Sequence, residues 1–243
     1  MKCCYVFQMA HGPVNRKPLP AQAMNYVFNF RDIWAQQYFL LDGVRVTLLL
    51  STVTIACGLV IGAAGAAMRV YGGATLRSLS AAYVEIIRNT PLIVQLFLVF
   101  FGLPSFGVRL DALTASLIAL AINLGAYTAE IMRAGLEAIP RSQIEAGHSL
   151  GLSGLQVFRH VVMFPALKVI YPSLTSQFVL MMLATSVVSQ ISTPDLFHVA
   201  SIIQSRTFRD FEIYLVVAIL YLLLALALRI AFAAIGQIAF GRR

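Results

Sequence analysis

Residues 46–68 carry no charged side chain. A bilayer core is crossed by about 20 helical residues, so a stretch of this length is enough to span one. Inside lipid the backbone must satisfy its own hydrogen bonds, which leaves a helix or a closed barrel. The run is rich in small residues (Gly58, Gly62 and Gly65 among alanines), which let helix backbones approach closely in a membrane. Apolar stretches recur over 92–103, 112–132 and 168–190, and a fifth is entered through 207–214 and ends near 237. The expected fold class is an all-α integral membrane bundle of five spans. An odd count puts the termini on opposite sides.

The longest polar interruption is residues 141–152, RSQIEAGHSLGL. Ser142 and Glu145 have the spacing of a capping box, in which hydroxyl and carboxylate each take an amide of the other residue's backbone. Gly151 follows as a residue able to turn left-handed and stop a helix. Ser153 and Gln156 repeat the box and start a helix carrying Phe158, Val161, Val162 and Met163 toward the membrane. The segment therefore reads as helix, glycine break, helix, lying beside the bilayer.

Composition excludes several function classes. Hydrophobic residues make up 59% of the chain and charged ones 12%, about half the charge of a soluble domain. The formal net charge is +8, but the basic residues are scattered singly, with no basic stripe to track nucleic acid. Three cysteines, Cys3, Cys4 and Cys57, form no disulfide framework or metal spacing, and Cys57 reads as packing within a span. No metal site is expected. The only lysines are Lys2, Lys17 and Lys168, none in a Walker A context, so any ATP-driven step needs another subunit. The four histidines make no zinc motif, and no nucleophile elbow is present.

Residues 1–23 are polar and contain Pro13, Pro18 and Pro20. They lack a signal-peptide core and read as a disordered extension, with Met24 as the natural start. The aromatics Phe28, Phe30 and Trp34 suit a membrane interface. Pro91 predicts a bend near Arg88, because the residue before a proline is pushed out of the helical region. Asn123, Tyr127 and Glu130 share one helix face, and Glu130 is expected to pair with Arg133 or with the inner headgroups. Polar groups at membrane depth face a cavity or another helix. Gln95, Asn123, Tyr127, Gln177, Thr185 and Ser186 are therefore candidates for a substrate path, or for hydrogen bonding between and along helices. Arg229 reads as snorkelling to an interface.

The segment also resembles a known pattern. Glu145-Ala146-Gly147, three residues, Gly151, nine residues, then Val161-Val162-Met163 is similar to the EAA loop of ABC importer permeases. Two positions depart from it: Gly147 replaces the second alanine, and Pro165 has slipped by one place. Residues 88–96, 125–135 and 207–214 further resemble the polar amino-acid subfamily of those permeases, and the similarity covers roughly 24–243. The resemblance implies the type I importer permease fold, with a coupling loop at about 134–160. Arg141, Ser142, Glu145, Ala146, Gly147, Leu150, Gly151 and Leu152 would meet an ATPase.

The implied partners are two ATP-binding-cassette ATPase subunits, a second permease copy or paralogue, an external substrate-binding protein, a polar amino acid and membrane lipid. ATP and Mg would sit on the ATPase, with no cofactor on this chain. The implied place is a bacterial inner membrane, N-terminus out and C-terminus in. With the segment inside, Arg69, Arg77, Arg88, Arg133, Arg141, Arg159, Lys168, Arg229, Arg242 and Arg243 fall on the inner side. Arg31, Arg45, Arg109, Arg206 and Arg209 fall on the outer side. One departure concerns cargo: many relatives carry a charged pair where this chain has Leu183-Ala184 before Thr185-Ser186. The rival readings are a stand-alone secondary transporter or channel, which usually shows internal repeats that this chain lacks, and a membrane scaffold.

Overall fold

The computed structural model describes residues 28–241, so the reading of residues 1–23 lies outside it. A single turn, α1 (Arg31–Trp34), precedes the 35-residue α2 (Gln37–Tyr71). Gly72 and Gly73 reverse the chain into α3 (Ala74–Arg88). After Pro91 comes α4 (Leu92–Phe97), prolonged by a π turn over Leu98–Gly102 and a 3-10 turn over Leu103–Phe106. α5 (Ala112–Glu137), α6 (Arg141–Ser149) and α7 (Gly154–Val157) follow. A π turn, Phe158–Val162, joins α7 to α8 (Met163–Ala184), which ends in a 3-10 turn, Thr185–Ile191. The chain closes with α9 (Leu196–Thr207) and α10 (Asp210–Phe240).

Among the described residues four helical stretches are long and apolar enough to cross a membrane: Gln37–Tyr71, Ala112–Glu137, Gly154–Ile191 and Asp210–Phe240. The pair Ala74–Arg88 and Leu92–Phe106, bent by 105°, makes the fifth. Two expectations change. The second span is a broken pair, of which the expected 92–103 is only the latter part. The fourth begins at Gly154, because the π turn at Phe158–Val162 carries helical backbone unbroken from the Ser153 cap into α8. The helix after the glycine break is thus the first turn of a span.

α5 is the central rod, packed against α2 on one side and α8 on another. Its contact with α2 is backbone-close. A Cβ on Gly58 would lie 2.8 Å from Leu124 side-chain carbons. One on Gly62 would lie 2.5 Å from Thr128 Cβ and 3.0 Å from the Ala129 amide. Leu50, Leu96, Leu120, Leu124, Leu174 and Met181 form the core around α5. Asp111 caps α5, accepting hydrogen bonds from the Thr114 amide (3.0 Å) and hydroxyl (2.6 Å). Those two bonds hold its carboxyl below the usual carboxylate range.

The end of the bundle holding α1 and α9 is tied by buried polar groups. Glu212 is fully buried and accepts a hydrogen bond from the Asn29 amide at 3.1 Å. Asp195, also fully buried, caps α9 by accepting from the His198 amide (3.0 Å) and receives the Tyr221 hydroxyl (3.1 Å). Thr47 Oγ1 accepts from the Leu196 amide at 3.1 Å, fixing α9 to α2. Cys57 corrects an expectation. It is exposed, and neighbouring Gly58 takes the packing position against Leu124 of α5.

Gly62→Leu should cost roughly 1–3 kcal/mol by overpacking the α2–α5 contact. A lowered thermal midpoint of the detergent-solubilised protein, with Cys57→Leu unchanged, is the expected result.

Candidate coupling segment and translocation cavity

Pro140 is the N-cap of α6, and its extended backbone (ψ 133°) starts the helix at Arg141. Ser142 therefore lies inside the first turn, no side chain caps α6, and the expected Ser142–Glu145 box is not formed. The second expected box is formed: the Ser153 side chain takes the Gln156 amide, and Gln156 Oε1 receives the Ser153 amide at 2.8 Å. Between them Gly151 has φ +78°, as the break requires. The Leu152 amide donates to the Gly147 carbonyl (3.3 Å) and the Gly151 amide to the His148 carbonyl (2.9 Å). This is the double bond pattern of a Schellman stop.

The hairpin so made has its own small core of Ile139, Val157, Val162 and Ala166, with Ile144 and Leu152 against it. Gly147 is buried in that contact, where an alanine Cβ would come 3.1 Å from Val157 Cγ2. A β-branched residue at 157 thus explains the glycine. Arg141, Ser142, Glu145 and Ala146 are exposed, as is Leu150 at the tip, which keeps 81% of its surface. An apolar side chain held that far out at a hairpin tip suits a partner surface.

Beside the hairpin, the last turns of α5 carry an ion network. Arg133 donates to Glu130 (2.5 Å) and pairs with Glu137, and Arg69 on α2 lies 3.9 Å from Glu130. The expected Glu130–Arg133 pair is present and reaches a second helix.

The other feature is the break between α3 and α4. Pro91 has no amide for the Ile87 carbonyl. Gln95 replaces the missing donor: its side-chain amide donates to the Ile87 carbonyl (2.8 Å), the Thr90 carbonyl (3.1 Å) and Thr90 Oγ1 (2.8 Å). Asn123 on α5 donates to Gln95 Oε1 at 3.0 Å, so the central rod braces the break. A cavity of about 660 Å³ opens beside it. Its polar lining is Arg88, Asn89, Thr90, Asn123, Tyr127 and Gln177, and Ala184 completes one wall. The Arg88 guanidinium lies 5.3 Å from the Tyr127 ring centre, a cation–π contact that fixes it in place.

Of the path candidates, Asn123, Tyr127 and Gln177 line this cavity. Gln95 sits behind it as the brace of the break. Thr185 is fully buried and donates to the Met182 carbonyl (2.7 Å), and Ser186 donates to Leu183 (2.9 Å). Both hydroxyls thus back-bond within their own helix, outside the cavity lining. Arg88, Asn89 and Thr90 join the lining, beyond the residues singled out for the path. The signal was present: a polar triplet directly before a helix-breaking proline, between apolar runs.

Comparison with known proteins agrees with this geometry. The family described as "Binding-protein-dependent transport system inner membrane component" matches residues 54–237. The chain is 37% identical over 190 residues to the "Probable glutamine ABC transporter permease protein GlnM" of Bacillus subtilis, covering 78% of this chain and 88% of that one. It is 35% identical over 203 residues to the "Glutamine transport system permease protein GlnP" of Escherichia coli K12, covering 83% and 93%. Among solved structures, a chain of an amino acid ABC transporter crystallised with histidines superposes with TM-score 0.82 at 35% identity, covering 87% and 99%. A chain of the MetNI methionine ABC transporter, inward facing, superposes with TM-score 0.72 at 21% identity, covering 84% and 98%, a likeness of fold. The chain belongs to the binding-protein-dependent transport system inner membrane component family, as a permease subunit of an ABC importer.

Proposed function

We propose that this permease carries a polar amino acid into a bacterial cell across the inner membrane. A binding protein delivers the cargo outside, and two separate ATPase subunits hold ATP and Mg inside. A second permease, identical or paralogous, completes the membrane pair. The N-terminus lies outside and the C-terminus in the cytoplasm, so that the hairpin of α6 and α7 meets the ATPase.

The observation that carries this reading is the cavity at the α3–α4 break. Arg88 offers a fixed guanidinium to a carboxylate, and Asn123 and Gln177 offer amides that both donate and accept. Among the described residues no aspartate or glutamate lines the cavity, and Ala184 occupies the wall where relatives of the resembling subfamily carry charge. A neutral amino acid with a polar side chain fits this lining better than a cationic one. Its ammonium group would be met by backbone carbonyls or by the second permease.

Two outcomes are expected in proteoliposomes of the assembled transporter. Arg88→Gln should raise the half-saturating cargo concentration about tenfold or more, the worth of a charge-assisted hydrogen bond. In the same assay Ala184→Asp should favour a cationic amino acid over glutamine, and unchanged selectivity would contradict the assigned wall. Gly151→Val should uncouple ATPase activity from cargo more than Glu145→Gln does, because a β-branched residue resists φ +78°. Equal stimulation of Gly151→Val and wild type would remove the hairpin from the mechanism.

A further inference from the structure

We propose that the cavity between α2, α3 and α5, at the hairpin end of the bundle, binds the phosphate of an anionic membrane lipid. It is about 670 Å³ and is lined by Arg69, Arg77, Ser78, Arg133 and Glu137 with small apolar residues. A space of that size takes a small ligand or a headgroup.

Charge in this cavity is not balanced. Arg133 is occupied by both Glu130 and Glu137. Arg69 reaches Glu130 only at 3.9 Å, and Arg77 has no ion pair among the described residues. Three guanidiniums and one carboxylate, Glu137, line the cavity, and even with Glu130 beside it one positive charge is in excess, while Arg77 has no ion-pair partner among the described residues. Gly73, the N-cap of α3, adds no side-chain acceptor for the first amides of that helix, whose dipole also favours an anion there. The excess charge and the open volume coincide.

The surroundings favour a lipid over a free anion. Arg69 lies in the last turn of a span, followed by exposed Tyr71, an aromatic of the kind found at headgroup depth. Leu76 and Leu79, the near neighbours of Arg77 on α3, are exposed at 47% and 63%. A headgroup phosphate in the cavity would place acyl chains against such apolar surface. Basic pockets between spans at an anionic leaflet are suited to this role. The proposal rests on the membrane fold and not on the cargo assigned to the α3–α4 cavity.

The test is thermal unfolding of the detergent-purified permease with its ATPase, titrated with phosphatidylglycerol, phosphatidylcholine or inorganic phosphate. Phosphatidylglycerol should raise the midpoint of the wild type, and the other two should not. Arg77→Gln removes an exposed side chain without an ion-pair partner, so its lipid-free midpoint should match the wild type. Its half-saturating phosphatidylglycerol concentration should rise about fivefold, one surface arginine's worth, and Arg77→Lys should stay near wild type. Arg229→Gln, in the separate cavity between α8 and α10, should titrate as wild type. The proposal is overturned if Arg77→Gln and Arg69→Gln both titrate like wild type. A loss of the shift in Arg229→Gln instead places the site elsewhere and also overturns it. A full shift by inorganic phosphate rejects the lipid source.

Discussion

The close approach of α2 to α5 is the constraint from which the rest of the architecture follows. Gly58, Gly62 and Gly65 set the α2 backbone against Leu124, Thr128 and Ala129 with no room for a side chain between. In lipid there is no water to drive such association, so packing and fit must hold the pair. α5 is thereby held close against α2. Its Asn123 and Tyr127 reach the α3–α4 break, Glu130, held by Arg133 of the same helix, meets Arg69 of α2, and Ile139 just beyond it seeds the core of the hairpin. One helix therefore touches both candidate functional regions.

Membrane depth makes every unpaired backbone group expensive, and the chain meets that cost at the break between α3 and α4 with a side chain. Pro91 frees the Ile87 carbonyl, and Gln95 supplies the donor that proline cannot. The bend of 105° then leaves Arg88, Asn89 and Thr90 at a cavity instead of in a continuous helix. A polar cleft within a bundle is thus a consequence of one imino acid and one amide. The same logic runs at the other end, where buried Asp195 and Glu212 are spent on backbone amides and a tyrosine hydroxyl.

Much of this was legible in the sequence. Uncharged length gave the spans, Gly151 gave the left-handed stop, Pro91 gave the bend, and the spacing of Ser153 and Gln156 gave a cap that forms. What sequence could not give was competition between neighbours. Ser142 and Glu145 have capping spacing, but Pro140 starts the helix earlier and removes the geometry. For Thr185 and Ser186 the sequence left a cavity and back-bonding both open, and the structure shows each donating to its own helix carbonyl three residues back. Gln95 reads as a path residue until the orphaned carbonyl beside it is seen. Arg88 was hidden by its charge, since an arginine near a span end is first read as an interfacial residue.

The hairpin and the cavity are joined by continuous helix. Gly154–Ile191 runs from the hairpin past Gln177 to Ala184, and the Schellman stop at Gly151 holds α6 against its start. On the proposed function, a push on α6 would be passed along α8 to the cavity wall. The most direct check is photo-crosslinking in the assembled transporter, with a probe at Leu150 and, separately, at Ser192 at the far end of the same span. The account predicts a covalent adduct with the ATPase from position 150 and none from 192. An adduct from Ser192, or none from Leu150 in complexes that still take up cargo, would contradict it.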